Sequence, residues 1–597
     1  MGCGSSSSSG TEQSIEKIKT KEVGGNPNST TAVNRSQIVQ SSKVKTSNND
    51  KTRTTNSDKV KPSAKSDDFK LDFDEFKDID EHARQTPKSV ENSINELADY
   101  LAKPAKSELE TIRAFYVWIC NNISYNATAY FGGESAAREP VDVLKSKSSV
   151  CEGYARLFQA LCVAKDIKCQ KISGFSKGYG HQLGTILSYE NKTDHAWNVV
   201  FVSGKWRFIE TTWGAGYLDN QKAFVKKFSN FYFLIKPEHF IEDHFPYNNN
   251  DVEGSKEWQL LKRPVTLEEF SKTLKTTKFA REWDITFPSY KYEVVKVERK
   301  ASILIESKQN TLTNVKVTLY NSSRELCNNS VVLVKDNFSN YTITIMPKEI
   351  GKYTLKVYGS FDQLQNVMPK LTEYMIECTS TEEEFMPYPE HNRFYGPSTD
   401  CKIRGFVNFD SIPAFQICKN GEFELKIKTN RTVKVSANIF ETDGSRSSDF
   451  VMIEQSNDSV CVKARFIIKG YYKLTIFSEL EGNDKHSEAM NILVLNKIGA
   501  KISIPFPKTY SSTKEYNCHL VEPLVRNIPS NANVRFVMSS PVIEQILIDG
   551  KVYKKENSQP WDVTVKTGDS GDVKVSAKTD INSKSFTSIY QFVVDSE

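Results

Sequence analysis

At 597 residues the chain is too long for one hydrophobic core and implies about three to five domains. Apolar residues make up 38% and charged residues 26%, with no run near the ~20 apolar residues that a membrane helix needs, which excludes a helical membrane protein. The net charge of +5 belongs to the N-terminal arm: 11 Lys+Arg against 5 Asp+Glu up to Ser66 leave the remainder near −1, so nucleic-acid binding is not expected.

The eleven cysteines are scattered, and none pair as C-x-x-C. That spacing gives neither a disulfide scaffold nor a zinc site, and it fits a reducing compartment.

Residues 1–68 are expected to be a disordered, basic tether. Ser, Thr, Asn and Lys dominate, and aromatics are almost absent, so the stretch cannot bury enough apolar surface to offset its ordering entropy. The chain opens MGCGSSSS. Gly2 and Ser6 fit the M-G-x-x-x-[ST] pattern for myristoylation, and Cys3 stands where a palmitate is added in dually acylated proteins. One acyl chain binds a membrane only marginally, and a second chain or a basic segment makes attachment stable. No apolar leader is present, so secretion is not expected.

Residues 69–280 are expected to form one α+β domain. Ser107 and Glu110 make a capping box before a helix with Leu109, Ile112, Phe115, Tyr116 and Ile119 at helical spacing. A second helix opens at Cys151, with Tyr154, Leu157, Phe158 and Leu161 on one stripe. At a helix start, free N–H groups and the positive end of the macrodipole favour a thiolate and could steady an oxyanion. Gly153 is expected to keep the approach to the sulfur open.

The pattern then changes to strands. Residues 196–202 and 205–211 read as a hairpin turning at Ser203-Gly204. In that register His195, at the entry of the first strand, lies diagonal to Glu210, near the end of the second. The carboxylate would hold the imidazole while its other nitrogen faces the sulfur.

The stretches "VCEGYARLFQALC" and "HAWNVVFVSGKWRFIETTWGAG" resemble the transglutaminase-like, papain-like core. "DEHARQTP", "VWICNNISYN" and "HFPYNNNDVEGSKEWQLLKRPVTLEEF" are similar to the kyphoscoliosis peptidase and hillarin family. By position the resemblance implies a catalytic set of Cys151 as nucleophile, His195 as base and Glu210 as acid. The family usually has Asp where this chain has Glu210, one methylene shorter, and misplacing the imidazole by about 1 Å can lower a rate ~10²-fold. The resemblance further implies attack on a carboxamide or peptide bond through an acyl-thioester, with protein substrates and cytoskeletal partners. No D-x-[DN]-x-[DN]-G loop occurs, so no metal or other cofactor is expected.

After about residue 281 short period-2 runs with polar turns dominate. Gly351-Lys352-Tyr353 and Gly470-Tyr471-Tyr472 open similar strands, which suggests two Ig-like sandwich domains, 281–384 and 385–498, before a β-rich domain at 499–597. The whole reads as a thiol hydrolase or acyltransferase held in the cytoplasm, on the inner membrane face or the cytoskeleton. The alternative is an inactive adaptor between membrane and cytoskeleton.

Overall fold

The computed structural model describes residues 71–595 apart from 134, 249–250, 308–311, 337–339, 362–367, 392, 481–482 and 556–559. The expected tether, with Gly2 and Cys3, lies outside the described residues.

The capping box closes the start of the helix Glu108–Asn122. The Ser107 hydroxyl accepts the Glu110 N–H at 3.2 Å, and the Glu110 carboxylate accepts the Lys106 N–H at 2.5 Å. Thr111 through Cys120 are all buried, so this helix is enclosed on every side rather than along one stripe. Its Arg113 pairs with Asp80 through two 2.7 Å hydrogen bonds, under the rings of Phe76 and Phe233. The "DEHARQTP" stretch therefore serves the core.

The helix Cys151–Val163 buries Tyr154, Leu157, Phe158 and Leu161 against the same core. Each such side chain contributes about 1.5–3 kcal/mol by leaving water. Gly153 does not flank an open approach to the sulfur. A Cβ there would stand 2.0 Å from the Ser149 hydroxyl oxygen and 2.8 Å from a Val143 methyl, so the glycine is needed for close packing inward.

Across from this helix runs an antiparallel sheet in the order Phe233–Ile235, Lys205–Ile209, His195–Val202, Cys169–Ser176, His244–Pro246. Ser203 and Gly204 have φ of 53° and 76°, the left-handed pair of a tight hairpin turn. Asn198 faces Ile209, in the expected register. Pairing ends there, however. Glu210 is not on a strand: it caps a short helix, Thr211–Ala215, because its carboxylate accepts the N–H groups of Thr212 at 2.7 Å and Trp213 at 3.1 Å.

Gly174 faces His195 across the sheet. A Cβ on Gly174 would fall 2.2 Å from the Phe245 carbonyl oxygen. Its absence lets the His244–Pro246 strand approach, which brings His244 beside His195.

The rest of the chain forms β-domains of two facing sheets. In the first, the strand Gly351–Ser360 pairs antiparallel with Lys370–Ser380, which also pairs in parallel with Val294–Glu298. In the second, Gly470–Leu480, Asn483–Asn496 and Phe415–Cys418 repeat that plan. The same plan occurs a third time, in Gly571–Lys578, Thr587–Asp595 and Asn527–Pro529. The fold is thus a papain-like α+β core followed by all-β Ig-like domains.

Candidate active site

Cys151 is the first residue of its helix and is partly exposed; its sulfur lies 4.0 Å from the Asp194 carbonyl oxygen. Asp194 directly precedes His195, so strand entry and helix start meet at this point. His195 Nε2 donates to Glu210 Oε2 at 2.8 Å. The Cys151 sulfur is near enough to the same imidazole to help raise its pKa. With Nε2 taken by Glu210, Nδ1 is the ring nitrogen left for it. The structure thus brings together Cys151, His195 and Glu210, the three residues singled out in the sequence.

Burial alone would push the His195 imidazole down. The Glu210 carboxylate and the Cys151 sulfur outweigh it and hold the group well above its ordinary value. Burial opposes the charge on Glu210 as well, yet His195 and His244 bring its carboxyl down to about 2. Glu210 is therefore ionised at neutral pH, and its two oxygens divide the work: Oε1 caps the short helix and Oε2 orients the imidazole.

The one carboxylate serves the helix N–H groups and His195 together.

Three residues in this setting were not singled out by sequence reasoning. His244 is fully buried, and its Nδ1 binds Asp243 at 2.7 Å. Its Nε2 has no hydrogen-bond partner and lies 3.6 Å from Glu210 Oε2. The ring stacks on Phe240 at 4.1 Å and packs on Trp213 at 4.3 Å. Asp243 in turn accepts from Arg281 at 2.5 Å. Burial works against the Asp243 charge, but Arg281 and His244 hold its carboxyl well below the usual carboxylate range. The run Cys151, His195, Glu210, His244, Asp243, Arg281 so extends from the helix start to the edge of the first β-domain. The family-like stretch at His244 was the available signal.

His195, Glu210 and His244 hold ligand atoms within 4.8 Å of one another and are the metal-capable trio among the described residues. The His195–Glu210 hydrogen bond already joins two of those atoms.

His195 opens into a cavity of about 590 Å³. Tyr125, Tyr130, Tyr179, Trp213 and Phe224 form its aromatic walls, and Lys227, Lys275, Lys278 and Lys370 line it as well. The cleft thus joins an aromatic wall to a set of basic side chains beside His195.

Residues 95–211 match the family model of the transglutaminase-like superfamily, a span that holds Cys151, His195 and Glu210. Residues 267–389 and 410–507 match the KY-like, immunoglobulin-like domain. Kyphoscoliosis peptidase of Mus musculus is 27% identical over 542 residues, covering 88% of this chain and 78% of that protein. Hillarin of Drosophila melanogaster is 30% identical over 207 residues, covering 33% of this chain and 24% of that one. Cytokinesis protein 3 of Saccharomyces cerevisiae is 24% identical over 289 residues, covering 44% and 31%. The chain therefore carries a transglutaminase-like domain followed by KY-like Ig-like domains, and it is a homologue of Kyphoscoliosis peptidase and Hillarin.

Proposed function

We propose that this transglutaminase-like protein performs thiol acyl transfer on protein substrates, with Cys151 as nucleophile, His195 as base and Glu210 as the orienting carboxylate. The observation that carries the reading is a single imidazole held between a helix-start sulfur and a buried, ionised carboxylate.

In this reading Sγ of Cys151 attacks the substrate carbonyl while its proton passes to His195. The C–N bond breaks as the imidazolium returns the proton to the leaving nitrogen, and an acyl-thioester remains. Water or an amine then attacks the thioester, His195 takes the incoming proton, and the C–S bond breaks to restore the thiol. Glu210 stays ionised throughout and fixes the ring. N–H groups at the start of the Cys151 helix supply donors for the oxyanion.

Incorporation of a fluorescent amine into a glutamine-containing protein, run beside peptide-bond cleavage of the same protein, tests this. Wild-type protein should do one or both, and Cys151→Ala neither. Equal activity in the two proteins would remove Cys151 from the chemistry.

The name Cytokinesis protein 3 in a relative supports a cytoplasmic, cytoskeleton-associated setting for this chain. The pattern at Gly2, Cys3 and Ser6 supports acylation and a place on the inner face of a membrane. Labelling with an alkyne myristate should mark wild type and not Gly2→Ala; no label on either would dismiss the lipid anchor.

A further inference from the structure

The two ends of the cleft differ in charge. Toward Cys151 the walls are aromatic: Tyr125 packs 5.8 Å from Tyr130 and 6.1 Å from Phe224. Toward the first β-domain the lining is cationic, with Lys227, Lys275, Lys278, Arg281 and Lys370.

Among the described residues, carboxylates pair with only two of these five cations. Asp243 is committed to Arg281 and His244, and Glu373 to Lys370 at 2.9 Å. No carboxylate lies within ion-pair distance of Lys227, Lys275 or Lys278 among the described residues. Lys275 donates only to the Lys177 backbone carbonyl, and Lys278 to the Ser229 hydroxyl at 3.1 Å. Glu282 is near Lys278 without forming an ion pair. Arg281 leaves its buried Nε without a hydrogen-bond partner.

Burial pushes the Lys275 ammonium down to about 8, with Arg281 and Lys370 acting in the same direction, and the more distant Asp243 and Glu373 carboxylates only partly offset it. A charge kept in that condition is unfavourable until an anion arrives.

The cationic end stands one indole from the imidazole. Trp213 lies 5.5 Å from the His195 ring, and the Lys275 ammonium sits 5.6 Å over the Trp213 ring. An extended peptide advances about 3.3–3.6 Å per residue, so a group at Lys275 falls within about three residues of one reacting beside His195.

We infer that the cleft takes an acyl-donor peptide bearing a carboxylate within about three residues of the reacting carbonyl, on the side facing the first β-domain. This rests on the acyl-transfer reading of Cys151 and His195. The carboxylate can come from an Asp or Glu side chain or from a chain terminus, and both present the same charge to the lysines. Charge–charge attraction in a partly desolvated cleft adds to the stacking of the peptide on the aromatic wall.

Binding separates this inference from catalysis. Full-length Cys151→Ala would be titrated with fluorescent decapeptides that carry a central Gln and, three residues to either side, Glu or Gln. Each peptide would be made with a free and an amidated C-terminus. At low salt the Kd should be at least ~10-fold tighter for a carboxylate-bearing peptide. That preference should weaken as salt rises and disappear in Lys227→Glu/Lys278→Glu, whose thermal midpoint is measured alongside. A preference that follows the Glu identifies an internal acid; one that follows the free C-terminus identifies a chain end. Equal Kd values for acidic and neutral peptides overturn the inference, as does a preference that survives the charge reversal. If those occur while Cys151 of the wild type still turns over neutral peptides, only the carboxylate inference falls. Loss of turnover as well removes the reading beneath it.

Discussion

His244 aims Nε2 at the Glu210 carboxylate from 3.6 Å, while Asp243 holds its other ring nitrogen at 2.7 Å. Glu210 is thus flanked by two imidazoles, one that faces the sulfur and one that faces the core. A bare lone pair on Nε2 would oppose Oε2, whereas a hydrogen there would support it. We expect His244 to position Glu210. His244→Phe keeps the ring stack on Phe240 and drops the polar contact. It should lower kcat by about tenfold, the scale of ~1.4 kcal/mol, with KM little changed. A change confined to thermal stability, with kcat intact, would make His244 a packing residue only.

Glu210→Asp gives the side chain that the wider family carries, and the geometry predicts a loss rather than a gain. Oε1 serves two helix N–H groups while Oε2 serves His195. We expect a carboxylate one methylene shorter to loosen one set or the other, and an ångström of misplacement lowers a rate by up to ~10²-fold. The kcat of Glu210→Asp should therefore fall by about 10- to 100-fold. Equal or higher activity would mean that the backbone adjusts freely at the cap.

Cysteine reactivity gives a test without substrate. Burial pushes the thiols of Cys401 and Cys461 up to about 11 and that of Cys518 up to about 12, and it raises Cys120 and Cys162 as well. Cys151 is partly exposed and sits beside an imidazole whose pKa is raised. Iodoacetamide at about pH 6 should label Cys151 first among the described cysteines, and His195→Ala should slow that labelling at least ~10-fold. Uniform labelling across the partly exposed cysteines would argue for the adaptor role.

Much of this arrangement was legible in the chain. The Ser203-Gly204 turn fixes the hairpin register, and from the register follows the closeness of His195 and Glu210. The Tyr154 to Leu161 stripe fixes which face of the helix is buried, and Cys151 stands at the start of that stripe in the first turn. Glu210 as a helix cap was not legible, because a β-like run up to Thr211 gives no sign that a carboxylate will capture the next two N–H groups. Gly153 was misread, since a helical glycine looks alike whether it opens a path or admits a neighbour. His244 and Asp243 lie on an edge strand that pairs far back in sequence with Phe175 and its neighbours, a contact that no local periodicity encodes. The third Ig-like copy was obscured because its late strand opens Gly571-Asp572-Val573, without the tyrosine of the first two.

The buried acid–base pair also sets a pH dependence of stability. Glu210 drops from its ordinary 4.5 to about 2 on folding. A depressed carboxyl contributes stability above its unfolded pKa, and that contribution is lost as pH falls from about 4.5 through about 2. His195 is raised, so its share is complete below about 6.5 and fades as pH rises through its folded value. The acid limb should be on the order of 3 kcal/mol. Urea unfolding at pH 5, 4 and 3 should show a shallower acid loss in Glu210→Gln than in wild type. Parallel curves would mean that Glu210 contributes nothing to the acid limb.

Lys177 and Glu293 form an ion pair at 2.9 Å with both side chains fully buried, and it joins the cleft to the first β-domain. Glu293 also binds His181 Nε2 at 2.8 Å and the Gly184 N–H at 3.1 Å. One carboxylate at the start of the strand Val294–Glu298 therefore holds the segment that carries the cleft residues Gly178 and Tyr179. Removing one member of a buried pair strands the other charge, at about 3–5 kcal/mol. Glu293→Gln should lower the thermal midpoint and speed tryptic cleavage at Lys177, while Lys177→Met/Glu293→Leu, which strands no charge, should recover much of the midpoint. By the same reasoning a chain ending at residue 280 leaves Lys177 buried without its counter-ion, so it should be less active than the longer protein. If that short form is as stable and as active as the full chain, the β-domain is not part of the cleft's support.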